Sequence, residues 1–273
     1  MNLLHVEAVP RSVSTALSRS LNETDNPSIF VNEPFNRMTH DIDVAAGHIL
    51  DAVEPVIDVA SERVTVVTKN MARNLSQVIF KDWIDICDGI VWSVRDPRIQ
   101  IGSLLTRIVN DIILEPGADK ISQDEIKPYI NEASSFLENS KISKSFSKTS
   151  WAEIGDHYRS DDYSTDSSVV IDGDNLCMNP EKNLKGVCSK LGLIYSSRMV
   201  NGWQDGYTNI NIGYTDKYDD STNGWTKHAV ASRGIESVSR EALDISDLPG
   251  PLAEHIETVA LPIYQELTRD VLI

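Results

Sequence analysis

Residues 3–9 of the chain read LLHVEAV, and residues 10–17 continue as PRSVSTAL. The first run predicts a strand, Leu3–Val9, that ends at Pro10, and the second predicts a helix over Ser14–Asn22 with apolar residues on one face. A strand that turns directly into a helix leaves unpaired backbone N–H groups at the positive end of the helix dipole. The sequence therefore predicts an anion site at this junction.

Side chains at the junction strengthen the prediction of an anion site. Arg11 supplies a fixed positive charge, and Ser12, Ser14 and Thr15 supply hydroxyl donors. The alternative is an ordinary Ser or Thr N-cap beside an incidental arginine, and the residues alone leave it open. The sequence lacks Gly-x-x-x-x-Gly-Lys-Ser/Thr, which excludes a nucleoside-triphosphate P-loop, and no Gly-x-Gly-x-x-Gly follows the strand to indicate a dinucleotide cofactor.

A second strand-to-helix junction carries another arginine. The run Gly89–Val94 predicts a buried strand, and Pro97–Val109 predicts the helix that follows it. Ser103 comes eight residues after Arg95, about two turns into that helix, where it could join Arg95 on one anionic group. The alternative is an exposed ion pair within Arg95–Arg98, which would contribute little stability.

The remaining apolar runs extend this alternation of strands and helices. They predict strands at Ile29–Val31, Val64–Thr68 and Ser167–Ile171. Helical patterns occupy 42–60, 120–160 and 249–271, with a bend expected near Pro262, and a long loop or lid is expected over 202–223. The alternation predicts an α/β fold, a parallel sheet flanked by helices on both faces. No break in composition divides the chain, so we expect a single domain over residues 1–273.

The composition excludes several classes of partner. The 273 residues include 41 Asp and Glu against 25 Lys and Arg, a formal net charge of −16 that disfavours nucleic acid or an anionic membrane. No apolar run approaches the roughly 20 residues of a membrane span, and the first residues predict no secretory signal. Three widely spaced cysteines argue against disulfides and a zinc site, and no cluster has metal-ligand spacing. We therefore expect a cytoplasmic protein without a bound metal.

These motifs, in this order, resemble those of the sulfotransferase superfamily. Its members transfer a sulfuryl group from 3′-phosphoadenosine 5′-phosphosulfate (PAPS) and release adenosine 3′,5′-bisphosphate (PAP). Residues 10–17 resemble the family's 5′-phosphosulfate loop, and Arg95 with Ser103 resembles its 3′-phosphate site. Residues 170–193 resemble its characteristic strand, loop and helix, and residues 224–234 resemble the segment that closes over the nucleotide. The resemblance implies a P-loop-like sulfotransferase fold with PAPS as co-substrate.

The resemblance also implies which residues bind the donor. They are Arg11, Ser12, Val13, Ser14, Thr15 and Ala16 at the 5′ end, and Arg95 and Ser103 at the 3′-phosphate. The Lys-Gly loop that many relatives use for the 3′-phosphate is missing, and the candidate replacements are Lys227, Ser232, Arg233 and Gly234. Val13 stands where relatives have glycine, so we expect the loop backbone to avoid positive φ there.

Sulfuryl transfer needs positioning, cations at the phosphosulfate and a base for the acceptor's proton. Glu33, in Asn-Glu-Pro-Phe after a predicted strand, is the expected base, and the resemblance implies the same role for a glutamate in such a Glu-Pro segment. Arg11 and Lys69 are the expected cations near the transferring group. A helix-entry glutamate and a solvated lysine at a strand end are the alternatives, and His40 is a rival base.

Aromatic and acidic residues alternate over 203–225, and such a set suits a cationic acceptor. The expected acceptor contacts are Glu33, Phe35, His40, Trp203, Asp205, Tyr207, Tyr214 and Tyr218. The acidity of the chain would steer such an acceptor inward. The alternative is loop packing with acidity that serves solubility.

The sequence thus predicts a sulfotransferase acting on a small molecule, with an amine- or guanidinium-bearing natural product as the expected acceptor. Tailoring enzymes for saxitoxin-type alkaloids are one such group within the family. A kinase-like enzyme and a non-catalytic nucleotide-binding protein on a related fold are the alternatives. Sulfation at oxygen or nitrogen, and the oligomeric state, stay open.

Overall fold

Five parallel strands form the centre of the molecule in a computed structural model of the chain. The structure describes residues 1–25, 28–35, 43, 46–47, 49–50, 54, 64–115, 118–138, 149–160, 167–203, 232–236 and 240–269. The strands are β1 (Asn2–Ala8), β2 (Ser28–Asn32), β3 (Thr65–Met71), β4 (Gly89–Val94) and β5 (Ser168–Asp172). The strands lie in the order β2-β3-β1-β4-β5, and every neighbouring pair is parallel. The predicted parallel sheet is confirmed, and β3 continues three residues beyond the predicted end at Thr68.

The helices follow the strands as the sequence pattern predicts. They are α1 (Ser14–Leu21), α2 (Gln77–Ile84), α3 (Pro97–Ile108), α4 (Ile130–Glu138), α5 (Trp151–Arg159), α6 (Gly173–Met178), α7 (Pro180–Leu191), α8 (Gly250–His255) and α9 (Leu261–Arg269). Short 3-10 turns occupy Ala72–Asn74, Gln123–Glu125, Lys127–Tyr129, Ser197–Met199 and Ile245–Asp247. Most of the helix predicted over 42–60 and nearly all of the loop predicted over 202–223 lie outside the described residues.

Helices cover both faces of the sheet, as expected. On one face Leu4 and Val6 of β1 pack with Leu17 of α1 and Val187 of α7. On the other face strand residues such as Trp92 pack with α2, α5 and α9. A third apolar cluster joins α3 and α4 to α8.

The C-terminal helical region is irregular one turn before Pro262. A wide π-helical turn at Ile256–Ala260 separates α8 from α9. Proline has no backbone N–H, and its ring excludes the carbonyl four residues earlier, here that of Thr258. The structure therefore has a π-helical turn just before the proline near which a bend is expected.

A buried network of hydrogen-bonded side chains lies on the face of the sheet covered by α2 and α5. The indole N–H of Trp83 donates to His5 Nδ1 at 3.0 Å, so the His5 proton lies on Nε2, which contacts Glu7 Oε2 at 2.9 Å. His157 Nδ1 lies 2.7 Å from Glu7 Oε1. Burial raises the pKa of Glu7, but the hydrogen bonds from His157 and His5 outweigh it and hold that pKa below its usual value. This network ties α2 and α5 to β1.

The loop after β1 contradicts the expectation for Val13. Val13 adopts φ 69° and ψ 9°, the left-handed conformation, and Arg11 also has a positive φ of 64°. The turn is held by its surroundings: a Cβ on Gly173 would lie 2.5 Å from the Ser12 carbonyl oxygen, so α6 begins directly against the loop. Val13 packs against the apolar cluster of its sheet face, which offsets the backbone strain.

The strain at Val13 predicts an inverted order of stability for two substitutions. Both substitutions lose the packing of the Val13 side chain, but Val13→Gly also removes the steric penalty of the left-handed conformation, about 1 kcal/mol, which Val13→Ala keeps. In urea unfolding, Val13→Gly should therefore have a free energy of unfolding about 1 kcal/mol above that of Val13→Ala. The ordinary order, with alanine the more stable variant, would contradict the left-handed backbone at this residue.

Candidate functional site

The carboxyl ends of four neighbouring strands bring charged residues to one edge of the sheet. Glu33 directly follows β2, Lys69 lies near the end of β3, and Arg95 directly follows β4. The loop that carries Arg11 follows β1, between β3 and β4. Neighbouring strands lie about 4.8 Å apart, so the ends of β2 and β4, which Glu33 and Arg95 follow, are separated by about 14 Å. Parallel α/β sheets bind their ligands at this edge.

Arginines converge on the hydroxyl of Ser103. Arg11 Nε donates to Ser103 Oγ at 3.1 Å, and Arg240 Nη1 donates to the same oxygen. Burial, followed by the positive charges of Arg240, Arg107 and Arg95, lowers the pKa of Arg11 to about 10. Burial also lowers the pKa of Arg240, with Arg95 as the next cause. The structure thus brings the predicted residues Arg11, Arg95 and Ser103 together, and adds Arg240.

Two carboxylates partly neutralise this arginine cluster. Arg107 forms an ion pair with Asp111, and Arg95 forms one with Asp174. Among the described residues, four arginines therefore face two carboxylates, so the described part of the cluster has a net positive charge inside a chain of net charge −16. Like charges at a buried site are unfavourable without a counter-charge. The cluster therefore has the electrostatic character of a site for a multivalent anion.

The first turn of α1 offers a second set of donors beside this cluster. Val13 occupies the N-cap position and makes no side-chain cap hydrogen bond, so the interpretation of this junction as a Ser or Thr N-cap is wrong. Helix geometry leaves the N–H groups of Ser14, Thr15 and Ala16 without intrahelical acceptors. Ser12 is buried, and its hydroxyl lies 3.0 Å from that of Ser93, so it links the loop after β1 to the end of β4.

Glu33 and Lys69 form an ion pair at the opposite end of the edge. Lys69 Nζ donates to Glu33 Oε1 at 2.7 Å and to Asn32 Oδ1 at 3.2 Å. The Lys69 side chain is 1% exposed and that of Glu33 is 16% exposed, so the interpretation of Lys69 as a solvated strand-end lysine is wrong. The Glu33 N–H donates to the Lys69 carbonyl at 2.6 Å while Glu33 adopts φ 50°. Backbone and side chain together fix the carboxylate at this edge.

Two of the residues expected to contact the acceptor are core side chains. Phe35 is buried and packs edge-on against Trp83, with ring centroids 5.0 Å apart. Trp203 is buried, its indole N–H donates to the Met199 carbonyl at 3.1 Å, and the Arg19 guanidinium lies over its ring. Their burial favours packing over acceptor contact. His40, Asp205, Tyr207, Tyr214, Tyr218 and Lys227 lie outside the described residues.

The segment predicted to replace the family's Lys-Gly loop is fixed by contacts with 200–203 and α1. The Arg233 carbonyl accepts from the N–H groups of Gly202 and Trp203, and Gly234 pairs with Asn201. The Ser232 carbonyl accepts from Arg19 Nη1 at 3.1 Å. Arg240, which sequence analysis missed, is the residue of the following segment that contacts Ser103.

Arg95 is not part of the exposed ion pair that formed the alternative interpretation of residues 95–98. Arg98 pairs with Asp96, which also accepts from the Arg98 backbone N–H at the start of α3. Arg95 is buried and points instead to Asp174. The two arginines of this run therefore have different partners and different exposure.

Comparison with solved structures identifies the class of fold. No model of a known protein family matches the chain, and no curated protein matches its sequence. A sulfotransferase domain from the Synechococcus PCC 7002 olefin synthase superposes with a TM-score of 0.51 over 94% of both chains, at 15% identity. The sulfotransferase domain of the curacin biosynthetic pathway covers 99% of both chains, with a TM-score of 0.48 and 13% identity. Mouse sulfotransferase SULT7A1, complexed with PAP, covers 72% of this chain and 61% of its own, with a TM-score of 0.43 and 14% identity.

The chain has the α/β, P-loop-like fold of a sulfotransferase domain. The olefin synthase domain shares that fold over nearly the whole of both chains, so the fold that the resemblance implied is confirmed. Within the described ranges no helix is long and apolar enough to cross a bilayer. In the same part of the chain, no group of three or more His, Cys, Asp or Glu side chains is placed to hold a metal ion.

The arginine cluster predicts stabilisation by a small polyanion. Inorganic pyrophosphate should raise the Tm of the wild-type chain, because it supplies the counter-charge that the cluster lacks. Arg240→Ala should lose at least half of this shift, whereas Arg159→Ala, at an exposed arginine that pairs with Glu266, should keep it, since the Ser103 contact belongs to Arg240. Differential scanning fluorimetry measures both. Equal shifts in the two variants, or no shift in the wild type, would contradict the assignment of the anion site to Ser103 and Arg240.

Proposed function

We propose that the chain is a sulfotransferase that binds PAPS and transfers its sulfuryl group to a small-molecule acceptor. The observation that carries the proposal is the placement of two anion-binding groups and one carboxylate along a single sheet edge. The groups are the uncapped start of α1, the arginine cluster at Ser103, and Glu33. The sulfotransferase fold supports this assignment.

The residues present fit a doubly phosphorylated nucleotide. Ser103, Arg95 and Arg240 would hold the 3′-phosphate, for which guanidinium groups are suited because they bind phosphate oxygens in pairs. The N–H groups at the start of α1 would hold the 5′ end. Arg11 belongs to the loop at the 5′ end, yet its guanidinium contacts Ser103, so it would serve both ends of the donor.

The donor supplies a sulfuryl group bound to a phosphate leaving group, and the chain's residues supply positioning and proton transfer. Glu33 would accept the proton of the acceptor hydroxyl or amine at its carboxylate. Lys69 holds that carboxylate through Oε1 and lies on the strand between Glu33 and the α1 loop. Its ammonium would also stabilise negative charge that develops on the transferred group.

The acceptor is proposed to be a small, cationic molecule that carries an amine or a guanidinium group. The net charge of −16 supports this class of acceptor. The anionic donor is bound by positively charged residues, so the excess of acidic residues does not serve donor binding and would instead attract a cationic acceptor. Glu33, which keeps part of its side chain exposed, is the described acidic residue at the reacting end of the edge.

Nucleotide binding distinguishes a PAPS-dependent sulfotransferase from a kinase-like protein. PAP at about 100 times its Kd should stabilise the fold by about 2.7 kcal/mol, which raises the Tm of a chain of this size by about 5 °C or more. ATP with Mg²⁺ should give a much smaller shift at the same concentration. Arg95→Ala should lose most of the PAP shift, because the phosphate loses a guanidinium partner.

Arg98→Ala is the matched control for Arg95→Ala. Arg98 is exposed and pairs with Asp96, so its removal should leave the PAP shift within experimental error of the wild type. A larger response to ATP with Mg²⁺ than to PAP would favour the kinase-like alternative. An unchanged PAP shift in Arg95→Ala would remove Arg95 from the donor site.

Glu33→Gln tests the base. The amide keeps an oxygen for Lys69 but accepts no proton, so turnover should fall by a factor of about 10² to 10⁴ while the Kd for PAP stays within about twofold. Turnover is measured as sulfate mass gain on the acceptor that responds in a panel of amine- and guanidine-bearing metabolites incubated with PAPS.

Glu153→Gln is the control carboxylate for this prediction. Burial raises the pKa of Glu153, and Arg73 interacts electrostatically with both Glu153 and Glu33. Glu153→Gln should keep at least half of the wild-type turnover. Near-normal turnover in Glu33→Gln, or loss of turnover in Glu153→Gln alone, would assign the base elsewhere.

A further inference from the structure

Asp174 occupies the side of Arg95 that would otherwise bind an anion. Arg95 Nε donates to Asp174 Oδ1 at 2.9 Å, and Arg95 Nη2 donates to the same oxygen. These two nitrogens form one edge of the guanidinium fork, the kind of edge that binds a phosphate through two parallel hydrogen bonds. The Arg95 side chain is 5% exposed and that of Asp174 is 20% exposed. The carboxylate is therefore the more accessible member of the pair.

The position of Asp174 places its charge inside the proposed 3′-phosphate site. It stands at the start of α6, one residue beyond Gly173, which lies against the loop after β1. Asp174 also interacts electrostatically with Arg240, the other arginine of that site. A phosphate bound at Ser103 would meet a like charge on Asp174, and such a juxtaposition opposes binding.

We propose that Asp174 is an internal counter-ion that competes with the 3′-phosphate for Arg95 and so weakens the binding of PAP. The inference rests on the proposed function, since it needs a 3′-phosphorylated nucleotide at this site. Without ligand, Asp174 neutralises a buried guanidinium whose charge would otherwise be uncompensated. When the nucleotide binds, Arg95 exchanges part of its ion pair with Asp174 for a contact with the phosphate. The affinity for PAP therefore reflects only the difference in free energy between these two interactions. A product held less tightly dissociates sooner, because changes in affinity are mostly changes in dissociation rate.

The experiment compares Asp174→Asn with Asp96→Asn by isothermal titration calorimetry. Asparagine at 174 keeps the oxygen that accepts from Arg95 and removes only the charge, and circular dichroism checks that each variant is folded. Asp96→Asn removes the same charge one residue from Arg95, at a carboxylate that pairs with Arg98 instead. The two ligands are PAP and adenosine 5′-monophosphate, which lacks the 3′-phosphate.

The proposal predicts that Asp174→Asn lowers the Kd for PAP about five- to tenfold, since removal of one like charge beside a phosphate is expected to be worth about 1 kcal/mol or more. The Kd for adenosine 5′-monophosphate should change less than twofold. Asp96→Asn should leave the Kd for both nucleotides within twofold of the wild type.

Each other outcome overturns a distinct statement. Unchanged or weaker PAP binding in Asp174→Asn would show that Asp174 only orients Arg95. A comparable gain with adenosine 5′-monophosphate, or in Asp96→Asn, would show a general charge effect rather than competition at Arg95. Failure of the wild-type chain to bind PAP at all would overturn the proposed function, and the competition at Arg95 with it.

Discussion

The pairing of β1 with both β3 and β4 is the constraint on which the site depends. Because all strands are parallel, this order puts the loop after β1 between Lys69 and Arg95, with their carboxyl ends at one edge. The hydrogen bond between Ser12 and Ser93 links the loop after β1 to the end of β4. A different strand order would separate the start of α1 from the second arginine, and no single ligand could reach both.

Electrostatics gives this edge a polarity along its length. A carboxylate and an ammonium stand at the β2–β3 end, and the arginine cluster stands at the β1–β4 end, in a chain whose overall charge is strongly negative. Desolvated like charges oppose folding, and Asp111 and Asp174 are the counter-charges that the described residues supply to the cluster. The left-handed backbone at Val13 adds strain at the same place, a pattern typical of sites whose geometry serves binding rather than stability.

The strands and the two strand-to-helix junctions could be predicted from the sequence because both depend on local patterns. Strand β4 came from its β-branched run, and the spacing of Arg95 and Ser103 came from helical geometry. Arg240 was missed because its run, Ser-Arg-Glu, has no motif and meets Ser103 only through tertiary packing. The surroundings of Trp203 likewise depend on a residue far along the chain, Arg19, whose guanidinium lies over its ring. Val13 was misjudged because a steric rule for isolated residues was overridden by packing against Gly173.

A crystal structure of the chain with PAP tests the central claim most directly. We predict the 3′-phosphate within hydrogen-bonding distance of Ser103, Arg95 and Arg240, and the 5′-phosphate at the backbone N–H groups that open α1. A nucleotide bound in the reverse direction, or away from this sheet edge, would contradict the account.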